Sequence, residues 1–181
     1  MNDATLQGKG NGLVLLYTGD GKGKSTAAFG QALRAAGHGL RVCIIQFIKG
    51  KWQTGEAKCF ARLTDCVEFH VRGSGFTWTR EDKAEAISTA RAAFAFAEEK
   101  IMGNAFDMVV LDELTYLITY GMVSEEEVLE LIRRRPRGLH LVITGRRASP
   151  GLLEEADLVS EIKMVKHHYT KGIAARPGIE F

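Results

Sequence analysis

Gly19, Asp20, Gly21, Lys22, Gly23, Lys24, Ser25 and Thr26 follow directly on an apolar run at 13–17. Glycines at alternate positions let the backbone curl with positive φ and turn its N–H groups inward, a concavity that holds phosphate oxygens. A helix beginning near Ser25 adds the positive end of its dipole. Lys24 is placed to reach the terminal phosphates of a nucleotide, and the Ser25 hydroxyl, with Thr26 as second candidate, to ligate Mg2+. The stretch departs from G-x-x-x-x-G-K-[ST] at one point: Thr18 stands where the first glycine is expected, and Gly19 comes one residue late. An ordinary glycine-rich turn between strand and helix is the competing reading, and GKGKS after an apolar strand favours phosphate. Lys22 is surplus to the pattern and reads either as a second phosphate contact or as a solvated loop lysine.

A second pair of oxygen donors, Asp112 and Glu113, stands at the end of the apolar run 106–111. An acidic pair at a strand tip holds Mg2+ directly or through water opposite a phosphate loop, or caps the next helix; with GKS upstream the metal reading is preferred.

These groups need strand tips on one rim. Residues 13–17 form a strand covered on both faces of a parallel sheet, an Ala-rich helix spans 27–36, and 41–47 is a second apolar strand reached by a right-handed crossover. Its tip, IKGKWQTGE, places Lys49, Lys51, Trp52 and Glu56 on the same rim as the glycine loop, where open α/β sheets collect ligands. Trp52 reads equally as a loop anchor and as a ligand contact. Residues 66–71 give a third strand ending in RGSGFTWTRED; Phe76 and Trp78 lie there without apolar periodicity, and from composition alone they fold back onto the core. Thr79–Asp82 resembles a capping box opening a long helix through Ile87, Phe94 and Ile101. Another capping box, Ser124 to Glu127, opens a helix that stops at Pro136, and RRRPR at 133–137 reads as its solvated basic end. Strands follow at 139–144 and 158–165, with a short helix from Pro150 between them. His167 and His168 are adjacent, hardly able to face one metal, and read as loop residues.

At 181 residues and 45% hydrophobic, the chain fits one domain at 12–181 behind a polar, flexible arm at 1–11. The expected class is α/β, a P-loop NTPase-like fold with five or six mainly parallel strands and helices on both faces. Lys plus Arg number 24 against 22 acidic residues, too balanced for nucleic-acid binding over an extended face. No run approaches a membrane span, and Cys43, Cys59 and Cys66, odd in number and without CxxC spacing, read as reduced thiols of a cytoplasmic protein with no metal site of their own.

Assembled, the motifs TGDGKGKSTAAFG, QFIKGKWQTGE, GSGFTW, VVLDELTY, TGRRASPGLLEEADLVSEI and KGIAARPGIEF resemble the corrinoid adenosyltransferase family of the CobA/CobO/BtuR type over nearly the whole chain. The resemblance implies transfer of the 5′-deoxyadenosyl group of ATP to the Co(I) centre of a reduced corrinoid, with inorganic triphosphate leaving, in adenosylcobalamin biosynthesis or salvage. It implies ATP and corrinoid as substrates, Mg2+ as cofactor, an electron-donating flavoprotein reductase and a homodimer. Lys22, Lys24 and the loop amides then bind triphosphate, and Ser25 with Glu113 or Asp112 holds the metal. Phe76 and Trp78 crowd the lower face of the corrinoid and displace its axial ligand, which overrides the packing reading from composition. Glu56 is assigned to the ribose hydroxyls. Two other readings stand beside this one. A P-loop kinase or ATPase would use Asp112 and Glu113 to activate water or an acceptor, with Arg146 and Arg147 as transition-state cations, but has no use for GSGFTW. A non-catalytic nucleotide-dependent corrinoid carrier or sensor would bind the same ligands without turnover.

Overall fold

The computed structural model describes residues 10–48, 50, 54–73, 75 and 83–180. Among these, six strands form one parallel sheet: β1 (Val14–Thr18), β2 (Val42–Gln46), β3 (Val67–Val71), β4 (Met108–Asp112), β5 (His140–Thr144) and β6 (Leu158–Glu161), in the order β3-β2-β4-β5-β1-β6. The helices are α1 (Lys24–Gly37), α2 (Gly55–Phe60), α3 (Lys83–Met102), α4 (Thr115–Thr119), α5 (Glu125–Arg134) and α6 (Pro150–Glu155), followed by a 3-10 turn at His168–Lys171.

Alternation along each strand divides the core into two layers. Leu16, Cys43, Ile45, Val109, Leu111, Leu141 and Ile143 face α3 and α5. Leu15, Val42, Ile44, Met108, Val110 and Val142 face α1, whose Ala28, Ala32 and Ala35 bring the helix close to the sheet. Both faces are covered, so the central strands are apolar up to the polar residues Gln46, Asp112 and Thr144 that end them. Phe29 of α1, Phe60 of α2 and Phe69 of β3 meet with ring centroids 5.7–6.0 Å apart and fasten α2 to the sheet.

Several expectations change in detail. The crossover from β1 to β2 spans two intervening strands, β5 and β4. The last strand stops at Glu161 rather than running to 165, because it has β1 alone as a partner and Val165 is fully exposed. The short helix α4, capped by Leu114 just past Glu113, adds an element to the expected order. The box at Ser124 forms as expected, with Glu127 N–H donating to Ser124 Oγ and Ser124 N–H to the Glu127 carboxylate. That at Thr79–Asp82 lies outside the described residues. The basic run is bonded rather than merely solvated: Arg133 pairs with Glu155, Arg134 with Glu98, and Arg135 donates to the carbonyls of Ile132 and Gly12. Cys43 Sγ comes within 4.8 Å of donor atoms of Glu68 and His70, but the Lys100 ammonium already holds Glu68 at 2.7 Å.

Candidate functional site

All six strands end on one rim, and β1 delivers the glycine loop to it. Thr18 remains in the strand and its hydroxyl accepts from Ala148 N–H. The turn begins at Gly19, where φ is +94° and a Cβ would stand 2.5 Å from the Ile162 carbonyl oxygen, which explains a threonine where the pattern has its first glycine. Ile162, just past β6, brackets the loop: its N–H donates to Thr18 O at 2.8 Å, and its carbonyl accepts from Gly21 N–H at 2.7 Å. Gly23, at φ +118°, caps α1 without a side chain, leaving the helix N-terminus open toward solvent and ligand. The Lys24 ammonium folds back onto Gly21 O at 2.6 Å. Burial, and then Arg146, lower its pKa, while Asp20, Glu113 and Asp112 act in the opposite sense.

The loop forms one wall of a cleft of about 970 Å3. Gly21, Lys22, Gly23, Lys24, Ser25 and Thr26 line it, as do Glu56 from the first turn of α2 and Glu113 from the tip of β4. Gly19, Asp20 and Asp112 are not among its lining residues. Phe29, Leu33, Phe60 and Leu63 make an apolar wall beside the loop. Glu56 is set in place by Thr54, whose hydroxyl accepts from Ala57 N–H at the start of α2. Phe76, Trp78, Lys49, Lys51 and Trp52 lie outside the described residues.

The two acids differ sharply. Asp112 is fully buried, with one oxygen accepting from Gln46 Nε2 at 2.8 Å and the other from the Thr144 hydroxyl at 2.7 Å. Glu113 has φ +67°, a left-handed conformation that costs a non-glycine residue about 1 kcal/mol, and it lines the cleft. Ser25 and Glu113 offer hard oxygen donors in one cleft with Lys24, a set that fits Mg2+.

Other contributors were not singled out from the sequence. Tyr116, the second residue of α4, lines the cleft with its phenol pKa raised chiefly by burial. Arg146, considered only for a kinase, lies in the same cleft, its backbone carbonyl held by the Thr115 hydroxyl at 2.7 Å. The C-terminal tail returns over the loop: Glu180 Oε1 sits 3.9 Å from Lys22 Nζ and 3.4 Å from His168 Nε2. His167 and His168 stack at 4.7 Å, and His167 Nδ1 accepts from Tyr169 N–H to cap the 3-10 turn. Gln46 and Thr144, each a polar residue closing an apolar strand, carried a signal in that position alone.

Residues 10–181 match the family model described as "ATP:corrinoid adenosyltransferase BtuR/CobO/CobP". The chain belongs to this family. A corrinoid adenosyltransferase of Pseudomonas aeruginosa is 44% identical over 170 residues, covering 94% of this chain and 84% of that protein. That of Escherichia coli K12 is 41% identical over the same length, covering 94% and 86%. Among solved structures, the genome-packaging NTPase B204 of Sulfolobus turreted icosahedral virus 2, in complex with AMPPCP, aligns at TM-score 0.46 and 16% identity, covering 85% of this chain and 76% of that one. As an ATP:corrinoid adenosyltransferase, the chain is an enzyme of the transferase class, and family membership favours neither the kinase nor the carrier reading. Among the described residues no helix is long and apolar enough to cross a membrane.

Proposed function

We propose that this cleft performs the family's reaction by direct attack of the corrinoid Co(I) on the ribose C5′ of ATP. The Co–C5′ bond forms as the C5′–O5′ bond breaks, both bonding electrons come from cobalt, which becomes formally Co(III), and inorganic triphosphate leaves intact. The metal centre is the nucleophile, so the protein has to supply geometry and charge rather than a nucleophilic side chain. The observation that carries this reading is the meeting, in one cleft, of the phosphate loop with Glu113, Glu56 and an apolar wall, in a chain whose family uses ATP and corrinoid.

The developing charge on the leaving triphosphate falls to the loop amides, the α1 N-terminus, Lys24 and Lys22. Ser25 and Glu113 would hold Mg2+, whose bound charge neutralises phosphate oxygens; Asp112 supports Glu113 from within the sheet. Glu56 serves the ribose hydroxyls, which keeps C5′ directed out of the phosphate nest. Phe76 and Trp78 displace the axial ligand of the corrinoid, making Co(II) easier to reduce. A flavoprotein reductase supplies that electron, and the enzyme works as a homodimer.

The test is product analysis. ATP and chemically reduced corrinoid should give a light-sensitive alkylcobalt spectrum and one equivalent of triphosphate per corrinoid by ion chromatography, with no ADP. ADP forming in step with product would overturn the reading.

A further inference from the structure

Glu113 is held in a backbone conformation that its residue type does not favour, and the structure shows what holds it. Thr144, fully buried at the end of β5, uses its hydroxyl twice: it donates to Asp112 Oδ1 at 2.7 Å and accepts from Glu113 N–H at 2.9 Å. Using the hydroxyl as donor and acceptor together leaves it no rotational freedom. The other Asp112 oxygen is taken by Gln46 Nε2 from β2 at 2.8 Å, so the tip of β4 is pinned from both neighbouring strands. On its far side β5 pairs with β1, where Thr144 lies opposite Tyr17, two residues before the glycine loop. One strand end therefore sets the acidic tip relative to the phosphate loop.

We infer that Thr144 is a positioning residue: through Asp112 and the Glu113 amide it fixes the left-handed turn that carries Glu113 into the cleft that Ser25 also lines. The inference rests on the reading of Glu113 as the metal-holding carboxylate. Thr144→Val keeps the side-chain shape and removes both bonds, leaving Asp112 short of a donor and Glu113 N–H without its acceptor. Thr144→Ser keeps the hydroxyl.

Two measurements test it on the whole chain. In the nucleotide-free protein, hydrogen exchange at the Glu113 amide should be protected in wild type and in Thr144→Ser, and at least tenfold faster in Thr144→Val. With ATP present and Mn2+ as the probe, electron paramagnetic resonance should show metal affinity at least tenfold weaker in Thr144→Val and within twofold of wild type in Thr144→Ser, with the valine variant's rate at saturating metal retained within a few-fold. A merely stabilising hydroxyl would lower the melting temperature without this split. Equal metal affinity in wild type and Thr144→Val overturns the role, as does a serine variant as weak as the valine one. A wild-type ATP complex that takes up no Mn2+ instead overturns the metal assignment of Glu113, and this role with it. Should Thr144→Val fail to fold, Thr144→Cys, small and only a weak donor, takes its place in both measurements.

Discussion

Lys24 is the residue on which the chemistry should depend most steeply. Replacing it with alanine removes a charge-assisted contact from a partly desolvated site, and activity should fall roughly a hundredfold or more with the fold intact by circular dichroism. Its pKa in the free protein lies below the ordinary value of 10.5 because burial and Arg146 disfavour the ammonium. In the proposed function the ammonium form is the one that binds triphosphate, so kcat/KM for ATP should drop as pH rises through this lowered value. Lys24→Arg, whose guanidinium stays charged, should abolish that alkaline limb even where it lowers the rate. The two acids should separate as cleanly. Asp112→Asn turns an acceptor of two buried hydrogen bonds into an amide facing the Gln46 amide, costing about 2 kcal/mol and several degrees of melting temperature. Glu113→Gln should leave the melting temperature alone and weaken the metal dependence of turnover. That Lys24 and Ser25 belong to a strand-tip cleft was legible from the spacing of the glycine loop, and so was the acidic pair 112–113 at another strand tip, but which of the two acids lines the cleft was not. The Thr144, Asp112 and Gln46 bonds were not, since they join residues that only strand order brings together.

At the level of elements, central strands showed as apolar runs because helices cover both faces of the sheet, and caps showed because Ser124 and Glu127 bond within one turn. Ser124→Ala should cost about 1 kcal/mol and lower the melting temperature by roughly 2–4 °C in a calorimetric scan. Helix α4 escaped notice because its five residues, Thr115–Thr119, are too few for a period and include β-branched types that favour strands. The shortness of β6 depends on its lone partner, which no local pattern records. The three cysteines sample three environments, and their reactivity should follow: Cys59 on exposed α2 modified first by a thiol reagent, then Cys66, with Cys43 reacting only on unfolding because burial pushes its pKa up to about 12. Modification of Cys43 in the native protein at the rate of Cys59 would contradict the described packing of β2.

Across the whole molecule, the C-terminal tail meets the glycine loop at Lys22. Glu180 occupies the neighbourhood of Lys22 with the same charge sign that a triphosphate brings, so Glu180→Gln should tighten ATP binding several-fold in an equilibrium titration, and Lys22→Gln should weaken it. An unchanged affinity in both variants would place Lys22 outside triphosphate binding. The order β3-β2-β4-β5-β1-β6 also bears on how the enzyme comes into being. β1, with the glycine loop at its end, touches neither β2 nor β3; its ladder partners are β5, where Val14 meets Leu141, and β6, where Leu15 meets Leu158. Loop closure over such separations is slow relative to local structure. A growing chain therefore carries every residue of GDGKGKST from its first moments, yet has no strand on either side to steady them until most of its length has been made. A ribosome-stalled chain ending before β5 should consequently fail to retain nucleotide, and the capacity to hold ATP should arrive late and abruptly in synthesis, as a property of the closed sheet rather than of the motif.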